Sequence, residues 1–299
     1  MYEFFDVFFF GMNSKKSVSE DYKLNKKWAG LNIFYELLAM VMGRFNYNLP
    51  ETMDDRYFEL CLISRSMNGT AIGKDGGAIR YSGSTRISDC EFYDNKATHG
   101  GALCFGQAVD LIVENTIFVN NSALDQGGSI KARFIEANNI TIINSTAVSG
   151  GAIFSRSGTA SIQNSKITNA SATQGGSIFV HPDISTVLIS NVDMSNTHAV
   201  EGGAIYSNAG GTMNIVDSSI NNASANYGGA VYINQGKATI SGSNIENSTA
   251  SLQGGAVYVK KNNVEIKDSF IKNNTAPIGG AVYWNGNNGK ISGTDFVDN

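Results

Sequence analysis

The sequence predicts an all-β chain wound into a right-handed parallel β-helix, a solenoid of about nine to ten coils of ~25 residues behind a partly α-helical N-terminal segment. Three observations carry this reading. A Gly-Gly pair followed by a small residue and an aliphatic recurs nine times, starting at Gly76, Gly100, Gly127, Gly150, Gly175, Gly202, Gly228, Gly254 and Gly279, at intervals of 23 to 27 residues. Two further aliphatic positions recur 13 and 8 residues before the pair, as Ile162 and Ile167 do before Gly175 and Ile215 and Ile220 before Gly228. The stretches between are rich in Ser, Asn and Gly, and the repeats contain no run of ten or more residues at helical spacing.

Residues 1–59 form a head and residues 60–299 the repeat domain. Phe4 to Gly11 is apolar but short, and Glu3 and Asp6 stand where a secretion signal carries positive charge. Leu31, Phe34, Leu38 and Val41 keep helical spacing within Trp28 to Met42, a stretch interrupted by Glu36 and short for a bilayer. It reads as an amphipathic helix, which laid across the first coil would cover unpaired strand edges and the open core. A membrane or secretion segment and a wrongly assigned start methionine are the alternatives.

Three apolar clusters per coil predict three short strands and three turns. The third cluster is the aliphatic that closes each Gly-Gly motif, from Ile79 through Ile153 to Val282. Parallel crossovers strongly favour right-handed winding. The glycines supply a left-handed backbone or a corner that a Cβ would obstruct.

Asn144, Asn169, Asn196, Asn222, Asn247 and Asn273 each stand two residues after the second upstream aliphatic, with Asp94 as the exception. Coils stack about 4.8 Å apart, so like positions form vertical files, and a file of Asn passes hydrogen bonds from amide to amide. Asn also tolerates the left-handed backbone of a sharp turn. This predicts a structural Asn ladder. Five of these residues (all but Asn196), with Asn68, Asn120 and Asn139, precede x-Ser/Thr, the acceptor signal for N-linked glycans. An inward ladder would make those sequons incidental.

Four residues after the first glycine stand Phe154, Phe179, Tyr206, Tyr232, Tyr258 and Tyr283, with Arg80, Cys104 and Lys131 in the earlier coils. Strand alternation sets this position opposite the core aliphatic, and its charged occupants predict a solvent-facing aromatic stripe. Such a stripe either stacks on sugar rings or a partner protein, or serves as a cross-strand ladder that stabilises the sheet.

Charged residues make up 16% of the chain and the net charge is −4 with no basic stripe, which speaks against a nucleic-acid partner. Cys61, Cys90 and Cys104 are odd in number and irregularly spaced, neither a disulfide framework nor a metal site. They read as small buried residues, with a Cys90–Cys104 bridge open in an oxidising compartment. His99, His181 and His198 differ in phase, so no metal triad or Ser-His-Asp set is visible.

Asp89, Asp217 and Asp268 share one phase with Asn164 and Asn191. Asp217 and Asp268 lie two coils apart, roughly 10 Å, too far to share a Ca²⁺, and read as turn-forming residues. Coil lengths vary by four residues, leaving little material to wall a polysaccharide-cleaving groove. A flat Thr array of the ice-binding kind is interrupted by His198. The reading is therefore of no catalytic residues, no cofactor and no metal.

Gly-Gly-Ala-Ile paired with Phe-x-x-Asn resembles the repeat of the polymorphic outer-membrane protein family of chlamydial autotransporter adhesins, within the pectin-lyase-like β-helices. Gly76 to Ile79, Gly150 to Ile153 and Gly202 to Ile205 carry the first tetrapeptide; Phe92 to Asn95, Phe118 to Asn121 and Phe296 to Asn299 carry the second. The resemblance covers roughly residues 60–299, including a degenerate opening coil around Ile63 and Asn68. It implies a cell-surface or secreted, non-enzymatic scaffold that adheres to a host or neighbouring cell-surface protein or glycan, or pairs with itself end to end. The alternative is a pectin-lyase-like carbohydrate-active protein or carbohydrate-binding module. The sequence departs from the family in having neither a following membrane barrel nor a clear secretion signal. The chain stops halfway through a coil at Asn299, which reads as a fragment of a longer protein.

Overall fold

The computed structural model describes residues 58–60, 63–65 and 76–299, except 82, 107–109 and 262. The predicted head, with its amphipathic helix, lies outside the described residues apart from Phe58 and Glu59. Those two open a strand, Phe58–Leu60, that straddles the expected boundary and pairs with Thr85–Ile87. Ile63–Arg65 pairs with Glu91–Tyr93, so the degenerate opening coil around Ile63 exists.

The described chain is a parallel β-solenoid, as the glycine rhythm predicts. Face A holds the strands that follow the glycine pairs, such as Leu103–Phe105, Ile130–Ala132 and Val231–Ile233. Its inward file runs in register through Ile79, Leu103, Ile130, Ile153, Ile178, Ile205, Val231, Val257 and Val282. Among the described residues nine strands on this face bound eight complete turns, somewhat fewer than the nine to ten coils expected. Face B holds strands such as Asp110–Glu114 and Thr212–Val216; face C holds Ile117–Val119, Thr141–Ile143 and Ser219–Asn221. In two turns the strand runs unbroken through both corners, as Ile153–Thr168 and Ile178–Ser195.

Between face C and the glycines the sequence reading has only a turn, but the structure has a fourth paired segment. Lys96–His99 pairs with Ser122–Gln126, and Ser224–Tyr227 with Thr249–Gln253. Each pairing shifts register once, and the extra residue of the coils ending at Gly127 and Gly254 is absorbed there as a bulge. Leu124 and Leu252, in these bulges, are exposed.

The core lies inside the tube. The upstream aliphatics predicted to face inward, including Ile87, Ile162, Ile189, Ile215 and Ile266, are fully buried. Each such side chain contributes about 1.5–3 kcal/mol on leaving water. Phe92 and Phe118 stack inside at 5.0 Å. The corner before face A needs two glycines for two different reasons. Gly150 has φ +65°, and a Cβ on Gly151 would collide with the Gly176 carbonyl of the next turn.

Candidate functional site

One left-handed residue makes the corner between faces B and C. It is Asp89, Asn115, Asn139, Asn164, Asn191, Asp217 or Asp268, with φ between 47° and 54°, or Gly242 or Gly293, with φ 59° and 57°. This confirms the turn-forming reading of Asp89, Asp217, Asp268, Asn164 and Asn191, and adds Asn115 and Asn139 to the file. Asn139 lies 11 residues before Gly150, so the same phase count would have found it. The amides are locked to one another: Asn139 Nδ2 donates to Asn115 Oδ1 and Asn191 Nδ2 to Asn164 Oδ1, each at 2.8 Å. The residue after each corner turns inward, and there Ser218, Ser243 and Ser269 form a buried hydroxyl file. Ser218 N–H donates to Ser243 Oγ, and Ser243 N–H to Ser269 Oγ, both at 3.2 Å.

Beside this corner an open groove of about 390 Å³ follows the solenoid axis. One wall is the corner file from Asn139 to Gly242. The floor is the outward file of face C: Thr141, Lys166, Asp193, Ser219 and Asn244, paired in register from turn to turn. Lys166 Nζ and Asp193 Oδ2 stand 3.7 Å apart, both about half exposed. Floor residues carry no motif in the sequence and become a surface only through the register.

The predicted Asn ladder sits at the next corner, where Asn144, Asn169, Asn196, Asn222, Asn247 and Asn273 all have φ between 53° and 56°. Asn169 Nδ2 donates to Asn144 Oδ1 at 3.1 Å, Asn222 Nδ2 to Asn196 Oδ1 at 2.7 Å and Asn273 Nδ2 to Asn247 Oδ1 at 3.3 Å. Asn247 itself reaches Asn221 rather than Asn222. The ladder forms, but outward: these residues are exposed. An inward position therefore does not explain the sequons. The inward amides are one residue later, at Asn95, Asn121 and Asn274, all fully buried. They are the Asn of Phe-x-x-Asn where that motif occurs.

The aromatic stripe requires a correction. Phe154, Phe179, Tyr206, Tyr232 and Tyr258 do lie on the outer side of face A, away from the main core, but they are 2–9% exposed and form a second apolar cluster. Successive rings from Phe154 to Tyr283 stack at 4.7–5.2 Å with interplanar angles of 3–12°. At one-turn spacing each ring covers its neighbours' faces, and Tyr227 packs edge-on against Tyr258 at 5.5 Å. Only Tyr283, at the end of the stack, is half-buried. Burial, reinforced by the negative charge of Glu201, pushes the Tyr206 hydroxyl up to about 12 and raises Tyr232 still further. From Phe154 to Tyr258 the stripe is therefore buried and not solvent-facing, an arrangement that fits a cross-strand ladder.

The remaining candidates separate. Cys90 points inward, its thiol on the Ser88 carbonyl, whereas Cys104 occupies the outer file of face A beside Arg80 and Lys131. Both are buried, Cys90 inside the tube and Cys104 on the outer side of face A, so the two point apart and the bridge between them is not formed. Cys61 lies outside the described residues. His99 meets Asp125 at 3.0 Å and the exposed turn residue His198 meets Ser224 at 2.9 Å, two sites on the fourth segment separated by four turns. Among the described residues no three His, Cys, Asp or Glu side chains gather as a metal site. A smaller hollow of about 130 Å³ gathers Arg80, Lys131, Arg133 and Arg156, a grouping made by register that a count along the sequence misses.

Comparison with protein-family models, curated proteins and solved structures finds no match to this chain.

Proposed function

We propose that the chain is a non-enzymatic cell-surface or secreted scaffold that mediates adhesion through the side of its solenoid, by binding a protein or glycan. The observation that carries this reading is the groove between faces B and C. Its wall amides are held by their neighbours, so donors and acceptors are set before any ligand arrives and little ordering entropy remains to be lost. The resemblance of Gly-Gly-Ala-Ile and Phe-x-x-Asn to the polymorphic outer-membrane protein repeat supports adhesion at a cell surface, and end-to-end self-association belongs to the same proposal. The test is binding of the purified full chain to cells, extracellular matrix and itself at micromolar concentration. Absence of all three would defeat the reading.

One observation favours the carbohydrate-active alternative. Asp193 and Asp217 bring two carboxylates to a single groove. Release of unsaturated sugars or new reducing ends from a polysaccharide would establish that alternative and displace the scaffold.

A further inference from the structure

Resting on the scaffold reading, we infer that the groove between faces B and C binds a linear, neutral, extended glycan lying parallel to the solenoid axis, one sugar per turn. The first argument is period. Along the wall the amides of Asn139, Asn164 and Asn191 recur at the turn spacing, which the stacked rings on face A measure as 4.7–5.2 Å. An extended peptide repeats every ~3.3 Å and drifts out of step within two residues. A pyranose chain with equatorial linkages at both ends repeats at very nearly one turn. From Asn139 to Gly242 the wall spans four intervals, about 19 Å at the usual strand spacing, enough for four or five sugars.

The second argument is chemistry. The groove offers the amides of Asn139, Asn164, Asn191 and Asn244 and the hydroxyls of Thr141 and Ser219. Asn139 and Asn191 each donate one Nδ2 proton to the ladder and Asn164 one to Asn138 Oδ1, and an amide NH2 carries a second proton, as sugar hydroxyls require. The third argument is charge. Lys166 is balanced by Asp193, which leaves the Asp217 carboxylate in excess, so a uronate chain would meet like charge where a neutral chain accepts and donates hydrogen bonds.

The test uses the full chain and titrates it calorimetrically with cellopentaose, chitopentaose, the coiled maltopentaose and pentagalacturonate. Binding of cellopentaose or chitopentaose is expected, with affinity rising from dimer to pentamer and then levelling off. Maltopentaose and pentagalacturonate are expected to bind at least about tenfold more weakly. The blocking variant is Ser219→Phe. Ile117 and Phe270 occupy the same file in other turns, so an aromatic ring there is compatible with the fold. It should weaken pentaose binding by about tenfold or more with an unchanged unfolding midpoint.

Absence of binding by both neutral pentaoses, a preference for the galacturonate, or full binding by a folded Ser219→Phe chain would each overturn the inference. Cell or matrix adhesion measured on the same two proteins separates the two readings. Adhesion that survives in Ser219→Phe while the pentaoses fail to bind the parent chain sinks the groove glycan alone, whereas pentaose binding without adhesion sinks the scaffold reading.

Discussion

Inside the tube, the Ser248 N–H donates to Oδ1 of Asn274 at 2.9 Å, across one full turn of the solenoid. Asn274 is fully buried, and its Nδ2 in turn donates to the Ile245 carbonyl at 2.9 Å. One side chain thus satisfies backbone groups on the neighbouring turn, where water cannot reach them. Its neighbour Asn273 makes the exposed ladder contact instead, at φ 53°.

Asn274→Ala should therefore cost about 1–3 kcal/mol, because a buried N–H is left without an acceptor. Asn273→Gly should change stability by only a few tenths, since Gly adopts positive φ freely and Gly242 and Gly293 already stand at the other left-handed corner. Urea unfolding midpoints of the two variants give the comparison. Equal losses would mean that the inward and outward amides contribute alike, contrary to the burial difference.

The aromatic file makes a second contrast. Tyr232 lies between Tyr206 at 5.0 Å and Tyr258 at 4.7 Å, so Tyr232→Ala opens a gap in a continuous stack. We expect a loss of about 3–5 kcal/mol, the cost of truncating a buried aromatic side chain. Tyr232→Phe should cost under about 1.5 kcal/mol, because Phe154 and Phe179 already occupy the same file. Binding to cells or glycans should be unchanged in the Phe variant. If Tyr232→Phe abolished binding while remaining folded, the hydroxyl edge of the stack would have to be a contact surface after all.

The aromatic file also shows why some of the molecule was legible in the sequence and some was not. The glycine period and the inward aliphatics are local signals, and Ile87, Ile162 or Ile266 face the core as their spacing requires. The outer side of face A was assigned correctly for Phe154 and Tyr206, but exposure is not a property of one strand. It depends on the ring one turn away and on the segment that folds beside it. The choice between Asn144 and Ser145 as the inward residue had the same difficulty. Only the corner geometry decides which of two adjacent positions enters the tube, and there Ser145 is fully buried and Asn144 exposed. The groove floor was invisible for a third reason. Thr141, Lys166, Asp193, Ser219 and Asn244 share no chemistry that a repeat search would detect, and only stacking makes them one surface.

The buried hydroxyl file predicts another loss that composition hides. Ser243 Oγ accepts from the Ser218 N–H at 3.2 Å and donates to its own Ser241 carbonyl at 2.9 Å. Ser243→Ala should cost about 1–3 kcal/mol through the stranded Ser218 N–H. Ser243→Thr should retain most of it, since Thr116 holds the equivalent place and donates to the Glu114 carbonyl. Thermal unfolding of both variants distinguishes a hydrogen-bond role from simple filling, in which Ala and Thr would rank the other way.

Alkaline pH should expose the stacked tyrosines as a group. Burial comes first and the Glu201 carboxylate second in holding the Tyr206 proton up to about 12, against an ordinary value of 10.0. The folded chain thus keeps this proton after the unfolded chain has lost it. The stabilisation is fully present below about pH 10 and disappears as pH rises towards about 12, because over that interval the unfolded state is the one that ionises. Tyr232 and Tyr258 are raised in the same direction and steepen the loss. Urea midpoints measured from about pH 9 to about pH 12, alongside phenolate absorbance, should show stability falling before the stacked rings titrate. Glu201→Gln should bring the ionisation of Tyr206 and Tyr232 to lower pH by removing the second cause. Phenolate absorbance that rises fully near the ordinary tyrosine value, with the chain still folded, would show that these hydroxyls are open to water and that the stack is not buried.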